Sequence, residues 1–500
     1  MGVATAPEIT VVGAGIAGLC AALELSALGC QVTLLERAAQ PGGKLRQLAT
    51  ATQAVDAGPT VLTLPGLFET ILGAAGTSLA EHLVLRPLDL LARHAWSASE
   101  RLDLFGDIER SAASIGSFAG AREAQGYRRF CRDSRRIYQT LTPGFLRRPA
   151  PQLGTLLANA RLRDLWQLRP FTTLWQALGD YFADPRLRQL FGRYATYCGS
   201  SPFQAPATLM LVAHVEQAGV WQVEGGMHRI ALALAELLRT RGVELRYQAH
   251  VERLHLHNGR LHSVELANGE RLSSNAVVVT CDTAALSAGL LGAGVAPAAA
   301  PIPVGQRSLS ALTWTGAVAT RGFELQRHNV FFSGDYAAEF AALRAGRCLD
   351  AQPTIYLCAQ DRDDTSSPQP GQPERILCLR NAPANGDLHV HEPEEVRECL
   401  MQSLATMAHC GLQLIDPQPQ LQATTPTDFN RLFPGSGGAL YGPATHGWRS
   451  SFQRPGARTR TPGLYLAGGS THPGPGLPMA ALSGRNAARC LLQDLGLMRA

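Results

Sequence analysis

Residues 11–43 read VVGAGIAGLCAALELSALGCQVTLLERAAQPGG, and their types and spacing suit one piece of chemistry, the holding of a dinucleotide. An apolar β-branched run ends at Val12, Gly13, Gly15 and Gly18 then spell G-x-G-x-x-G, and an Ala- and Leu-rich stretch follows. Gly13 permits a tight turn, Gly15 lets the backbone approach a pyrophosphate, and Gly18 lets the helix pack closely on the strand. The helix that opens with Ile16 and Ala17 offers free N–H groups to the phosphates. Val32 to Leu35 make a second strand, and Glu36 at its end lies 18 residues past Gly18, placed to accept hydrogen bonds from ribose hydroxyls. A carboxylate there repels a 2′-phosphate, so NADP is not expected.

The fingerprint alone does not separate FAD from NAD. Glu36-Arg37 is followed by Gly42-Gly43-Lys44, which resembles the extended motif of FAD-binding oxidases. Near the other end, residues 462–492 read PGLYLAGGSTHPGPGLPMAALSGRNAARCLL: a short strand, a Gly/Pro-rich turn, then a helix. Leu477, Ala480, Ala481, Ala487, Ala488, Leu491 and Leu492 recur at helical spacing. Such a helix N-terminus could face an isoalloxazine ring and stabilise charge on the reduced flavin. The alternative is an ordinary helix packed on the sheet.

Composition bounds the rest. The chain has 500 residues, 45% hydrophobic and 17% charged, enough for two to three globular domains. No uninterrupted apolar run approaches ~20 residues, so no transmembrane helix is expected. The first apolar stretch is the cofactor strand and has no basic segment before it, so no secretory signal is expected. The eleven cysteines are odd in number and form no C-x-x-C, which argues for a reducing cytoplasm and against disulfides or a thiolate metal site. His255, His257 and His262, and His389 with His391, alternate as strand residues do. No Cys or carboxylate has ligand spacing to them, so no metal is expected. Lys44 is the only lysine, so Schiff-base chemistry would have to use it. The net charge is +5, but from Arg122 to Arg193 fourteen arginines stand against five acids, which leaves the remainder of the chain net acidic.

The elements that must position these residues fall into five pieces. Residues 1–75 hold the first βαβ unit and the segment Asp56-Ala-Gly-Pro-Thr60. Residues 80–215 read mainly as helices after a short strand region. Residues 216–288 hold a helix expected over 225–240, hairpins signalled by Asn258-Gly259 and Asn268-Gly269, and a buried parallel strand at Ala276–Thr280. Residues 289–455 alternate strands and polar loops, with an amphipathic helix near 393–410. Residues 456–500 return to strand, turn and helix.

Over essentially its whole length the chain resembles the FAD-dependent carotenoid desaturases of bacteria, related to phytoene desaturase. The resemblance rests on the N-terminal fingerprint, Glu36, Gly42-Gly43, the GVWQVEGGM stretch from Gly219 to Met227, and Thr471-His472-Pro473-Gly474-x-Gly476-x-Pro478. Phytoene desaturases more usually have Gly-Ala-Gly where this chain has Gly468-Gly469-Ser470, and Pro-Arg where it has Val223-Glu224. These departures resemble the branch that acts on 1-hydroxycarotenoids, the 3,4-desaturases. The implied fold is α/β. A Rossmann-type FAD-binding domain of the amine-oxidase and glutathione-reductase kind would be built from residues 1–75, 216–288 and 456–500. A helical, membrane-associating part (80–215) and a mixed β-sheet substrate domain (289–455) would be inserted in it.

The resemblance implies FAD contacts at Gly13, Gly15, Ile16, Ala17, Gly18, Glu36, Arg37, Gly42, Gly43, Lys44 and Leu45. Pro59, Thr60 and Val251 would join them, with Gly468, Gly469, Gly476, Leu477 and Pro478, and the whole C-terminal turn from Thr471 to Gly476 would line the flavin. It implies a lipid-soluble carotenoid substrate, with oxygen or a membrane quinone as electron acceptor. The place of action would be the cytoplasmic side of the inner or photosynthetic membrane. Removing a hydride and a proton next to a polyene needs positioning more than a strong base, and no acid/base pair stands out. Arg169, Asp180 and His472 are conceivable helpers. Arg128, Arg129, Arg132, Arg135, Arg136, Arg147 and Arg148 occur with Phe145, Leu146, Trp166, Phe171, Trp175, Tyr181 and Phe182, a mixture suited to an anionic membrane surface. A solvated helix face is the other reading of these arginines, and no nucleic-acid reader module accompanies them. Alternatives of function are a phytoene- or neurosporene-type desaturase or isomerase, an amine or protoporphyrinogen oxidase, and a non-catalytic scaffold like the prenylated-GTPase dissociation inhibitors.

Overall fold

The computed structural model of the protein describes residues 6–50, 53–151, 154, 168–169, 171–348, 352–363, 366–369 and 371–498. A five-stranded, all-parallel sheet holds the dinucleotide fingerprint, in the order Leu464–Leu466, Ala276–Val279, Glu8–Val12, Gln31–Leu35, Glu244–Arg246. The central strand pairs Val11 with Val278 on one side and with Leu34 on the other. Helices cover one face of the sheet, and the hairpin strands Val251–His257 and Arg260–Leu266 pack on the other, so its strands are buried on both faces and read as continuous β-branched runs and not as alternating ones.

The first helix, Ile16–Ala27, is almost wholly buried because the last helix, Leu477–Asp494, packs along it. The approach is backbone to backbone: a Cβ on Gly484 would lie 2.0 Å from the Ala17 carbonyl oxygen. Within the fingerprint itself, a Cβ on Gly18 would lie 1.9 Å from the Gly13 carbonyl oxygen at the strand end. Glu24 of the first helix, 3% exposed, accepts from Arg489 at 2.7 Å and lies 3.5 Å from Arg485, so charge as well as shape fixes the pair.

The helix expected over 225–240 begins at Arg229. Gly225 and Gly226 sit at φ 80° and 95°, and Asp56 accepts the Met227 N–H at 2.6 Å, so the glycine pair is spent on a turn. The hairpin at Asn258-Gly259 forms as expected, with φ 50° and 75°. A second sheet of eight strands carries the substrate side, led by Ser310–Arg321 paired antiparallel with Pro373–Ala382. Its far edge is Leu90–Ala95 and Arg101–Phe105, contributed from the segment between the first βαβ unit and the helices.

The helical part is led by Ala121–Leu141. Tyr127, Phe130 and Ile137 face a core shared with Phe182 and Phe191, while Arg128, Arg129, Arg132, Arg135 and Arg136 face outward. This corrects the expected mixture of arginines and interfacial aromatics. Phe145, Leu146 and Phe182 are buried, and Trp175 and Tyr181 are half-buried; Phe171, 82% exposed, is the one that projects. Arg161, Arg163 and Trp166 lie outside the described residues. Among the described residues no helix is long and apolar enough to cross a membrane.

The helix contact sets a test. Gly484→Ala forces the two helices apart and should cost about 1–3 kcal/mol, with lowered flavin content. Gly73→Ala, on a helix surface with nothing within 4 Å of its Cβ, should stabilise by up to about 1 kcal/mol. Thermal unfolding of the two variants checks the contrast, and equal melting temperatures would contradict the contact.

Candidate active site

One cavity of about 880 Å³ begins where the first strand ends and runs to the second sheet and the helical part. Gly13, Gly15, Ile16, Ala17, Glu36, Arg37, Gly42, Gly43, Lys44, Leu45, Pro59, Thr60, Val251, Gly468, Gly469, Gly476, Leu477 and Pro478 all line it. Gly18 does not line it, because its missing side chain makes room for the Gly13 carbonyl instead.

The lining fits an FAD. The first helix starts at Gly15 with no side chain capping its N-terminus, and a Cβ there would meet nothing within 4 Å. Free N–H groups and open space are what a pyrophosphate needs. Glu36 Oε2 accepts from the Ala14 N–H and Oε1 from the Ala38 N–H, both at 2.8 Å. Those bonds fix the carboxylate and leave lone pairs for ribose hydroxyls. Arg37 reaches away and donates to the Arg431 carbonyl at 2.7 Å.

At the other end of the same wall, the last helix begins at Gly476, again with no side-chain cap. Two cations stand near it. Lys44 donates to the Leu440 carbonyl at 2.5 Å, and burial holds its pKa below the ordinary range. Arg454 donates to the carbonyls of Tyr441, Gly469 and Pro443, and burial takes its pKa down to about 10. Helix end and cations together favour negative charge on a group bound here.

Of the C-terminal turn, Pro473, Pro475 and Gly476 reach the cavity, and Thr471, His472 and Gly474 do not. Thr471 bonds to the Ser483 hydroxyl at 2.7 Å, and His472 points the other way, its Nε2 2.9 Å from the Phe145 carbonyl. Arg169 and Asp180 form an ion pair with each other and are absent from the lining. None of the three conceivable helpers therefore faces the cavity.

Groups that the sequence did not single out do face it. Tyr356 bonds through its hydroxyl to Thr60 at 2.6 Å and to His328 Nδ1 at 2.8 Å. His328 is 4% exposed, its Nε2 has no partner, and burial followed by the Arg327 and Arg193 charges lowers its pKa to about 3, so the imidazole is neutral. Arg193, Tyr197 and Glu216 complete this polar patch. Their neighbours in sequence give no motif that marks them.

The histidine pairs divide. His255 bonds Glu265 across its hairpin. His389, His391 and Glu395 bring ligand atoms within 4.8 Å of one another, because the helix from Pro393 starts just past the histidines and turns Glu395 back to His389. The expectation that no carboxylate would stand by these histidines fails for that local reason. The imidazole–carboxylate bond of 2.8 Å uses one ligand atom on each of His389 and Glu395.

Two tests follow from the cavity. Gly15→Val has room within the protein and should leave the fold stable, yet it fills the pyrophosphate position; purified variant should carry little flavin at an unchanged melting temperature. Normal flavin content would remove Gly15 from the site. Burial pushes the Glu216 carboxyl from 4.5 up to about 7, against the pull of the Arg193 charge. Between those pH values the folded protein keeps a proton that the unfolded chain releases. The associated stability, on the order of 3 kcal/mol, is present below pH 4.5 and lost as pH rises through about 7. Melting temperatures of wild type and Glu216→Gln should therefore diverge across that window, with the variant gaining; parallel curves would contradict the burial of this carboxyl.

Comparison with known proteins agrees with this geometry. The flavin containing amine oxidoreductase family matches residues 16–492. A hydroxyneurosporene desaturase of Rubrivivax gelatinosus is 52% identical, over 98% of this chain and 94% of its own. A hydroxyneurosporene desaturase of Cereibacter sphaeroides is 44% identical over 98% of each chain. Among solved structures, a putrescine oxidase bound to putrescine matches with a TM-score of 0.61 at 14% identity, covering 97% of this chain and 99% of that one, which is a likeness of fold. The chain belongs to the flavin containing amine oxidoreductase family and, within it, to the FAD-dependent carotenoid desaturases.

Proposed function

We propose that the protein catalyses the FAD-dependent 3,4-desaturation of an acyclic 1-hydroxycarotenoid such as 1-hydroxyneurosporene. The observation that carries the reading is the single cavity that joins a dinucleotide site to an apolar pocket holding a polar patch. The names borne by the relatives point the same way. Forming the new double bond removes a hydride and a proton, and the flavin, when bound, supplies the hydride acceptor. The chain's own residues do the rest by positioning. Gly15 and Glu36 anchor the dinucleotide, Lys44 and Arg454 set the charge of its surroundings, and Leu141, Phe145 and Val212 exclude water along an apolar wall. The adjacent polyene stabilises positive charge left on carbon, so a weak base suffices. No second dinucleotide fingerprint for NAD is visible, which favours oxygen or a membrane quinone as the final acceptor.

The substrate dissolves in membranes, and the outward arginines of the helix Ala121–Leu141, with Arg147 and Arg148 beyond it, give the protein a face for an anionic surface. Each could contribute about 1 kcal/mol there. This reading places the protein on the cytoplasmic side of the inner or photosynthetic membrane.

Purified holoenzyme in liposomes should convert 1-hydroxyneurosporene in preference to neurosporene or phytoene, with a red shift as the polyene lengthens. Efficient conversion of phytoene without that preference would move the chain to the phytoene branch, and oxidation of amines with no action on carotenoids would overturn the reading. Binding to anionic vesicles should weaken with salt and when Arg135, Arg136, Arg147 and Arg148 become Gln. Unchanged binding by that variant would reject this face as the anchor.

A further inference from the structure

The polar patch on the cavity wall has an unusual composition for a pocket that takes a hydrocarbon. Arg193 opens a short helical turn, Arg193–Cys198, and lines the cavity. Its guanidinium stands over the rings of Tyr197 and Tyr356, at 5.1 and 5.3 Å, and donates to the Tyr197 hydroxyl at 3.0 Å. Among the described residues that is its one hydrogen bond, and no carboxylate lies within 4 Å of it. A guanidinium carries five N–H donors, so most of them are left for something in the cavity. Tyr197, beside it, keeps 36% of its surface open and lines the same space.

Glu216 supplies the complement. It comes from the next helix, Leu211–Gln217, whose other lining residues Leu211, Val212 and Val215 are apolar. Glu216 is 8% exposed and lines the cavity; the Tyr194 hydroxyl bonds its carboxyl, and its Oε2 is buried with no hydrogen-bond partner. An orphan carboxylate oxygen is costly until a partner answers it, and the spare donors of the guanidinium on the same cavity lining are free to bind one. A hydrocarbon end answers neither. An alcohol answers both, because a hydroxyl donates one hydrogen bond and accepts others.

The position of the patch bears on which bond reacts. In a 1-hydroxycarotenoid the hydroxyl carbon is two bonds from C3, so an anchor for the hydroxyl must lie beside the reaction site and not at the distant mouth. Arg193 meets that condition through Tyr356, whose hydroxyl bonds Thr60 of the segment assigned to the cofactor. The polyene can then run the other way, between Leu141, Phe145 and Leu146 on one side and Leu211, Val212 and Val215 on the other.

We propose that Arg193 and Glu216 bind the hydroxyl at the substrate's end, Arg193 donating to its oxygen and Glu216 accepting a hydrogen bond from its O–H, and that this anchor selects the carbon–carbon bond presented for oxidation. The proposal rests on the reading of the protein as a hydroxycarotenoid desaturase. Arg193 and Glu216 are specificity and positioning residues here, not the acceptors of hydride.

The test uses holoenzyme in liposomes and the ratio of kcat/KM for 1-hydroxyneurosporene over neurosporene, in which a general folding defect cancels. Arg193→Met and Glu216→Leu should each lower that ratio by roughly tenfold or more, and Arg193→Lys should restore part of it. Glu216→Leu should also raise the melting temperature near neutral pH, since it removes a carboxyl that burial makes costly to ionise. Glu216→Gln keeps the volume and serves in its place if the leucine variant fails to fold. Binding of the hydroxylated carotenoid, read by quenching of tryptophan fluorescence, should weaken in parallel. Unchanged ratios with intact flavin content would overturn the anchor and leave the proposed function standing. A wild-type protein that does not desaturate 1-hydroxyneurosporene would overturn the function itself, and the anchor with it.

Discussion

The first and last helices meet backbone to backbone at Ala17 and Gly484, and the placing of the cofactor depends on that contact. A side chain at Gly484 would collide with the Ala17 carbonyl oxygen at about 2 Å, and one at Gly18 would collide with the Gly13 carbonyl oxygen at the strand end. With nothing larger between them, the helices bring two uncapped N-termini, at Gly15 and Gly476, onto the wall of one cavity. In the proposed reading the two helix ends serve one dinucleotide, the first its phosphates and the second charge at the far end. The Glu24–Arg485–Arg489 cluster holds the same pair from its other end. Sequence ends separated by more than four hundred residues become one site by a steric rule.

That rule also explains what could be read from the sequence. Gly13, Gly15, Gly18 and Glu36 are legible because each answers a local requirement: a turn, a close approach, a packing contact, a carboxylate at a strand end. The parallel strand Ala276–Val279 is legible because burial on both faces demands an unbroken apolar run. The Gly225-Gly226 pair was visible as a motif, but its task, a turn latched by Asp56, depends on a residue about 170 positions away. His472 misled for a similar reason. It sits in the most distinctive segment of the chain, yet its ring supports Phe145 and leaves the cavity to the prolines beside it. Glu395 was missed because only the start of a helix brings it back to His389.

The arginine-rich segment shows how composition mixes two roles. Six of its arginines lie on the exposed face of the helix Ala121–Leu141, where their charges are solvated and cheap. Arg193, at the end of the same run, is turned inward over two tyrosines. Sequence counts them alike. Burial separates them, because a charge within an apolar wall is retained only where something offsets its desolvation. The raised pKa of Glu216 and the lowered pKa of His328 record the same low-dielectric surroundings. The pocket thus gives up stability at one polar patch, and discrimination between substrate ends is the function that such a patch can serve.

The central claim is that electrons pass from a hydroxycarotenoid to a flavin held between the two helices. Anaerobic rapid mixing of oxidised holoenzyme with 1-hydroxyneurosporene tests it in a single turnover. The account predicts that the oxidised flavin band bleaches at the same rate as the polyene absorption moves to the red. Flavin that stays oxidised beside the carotenoid, while an amine reduces it, would contradict the account.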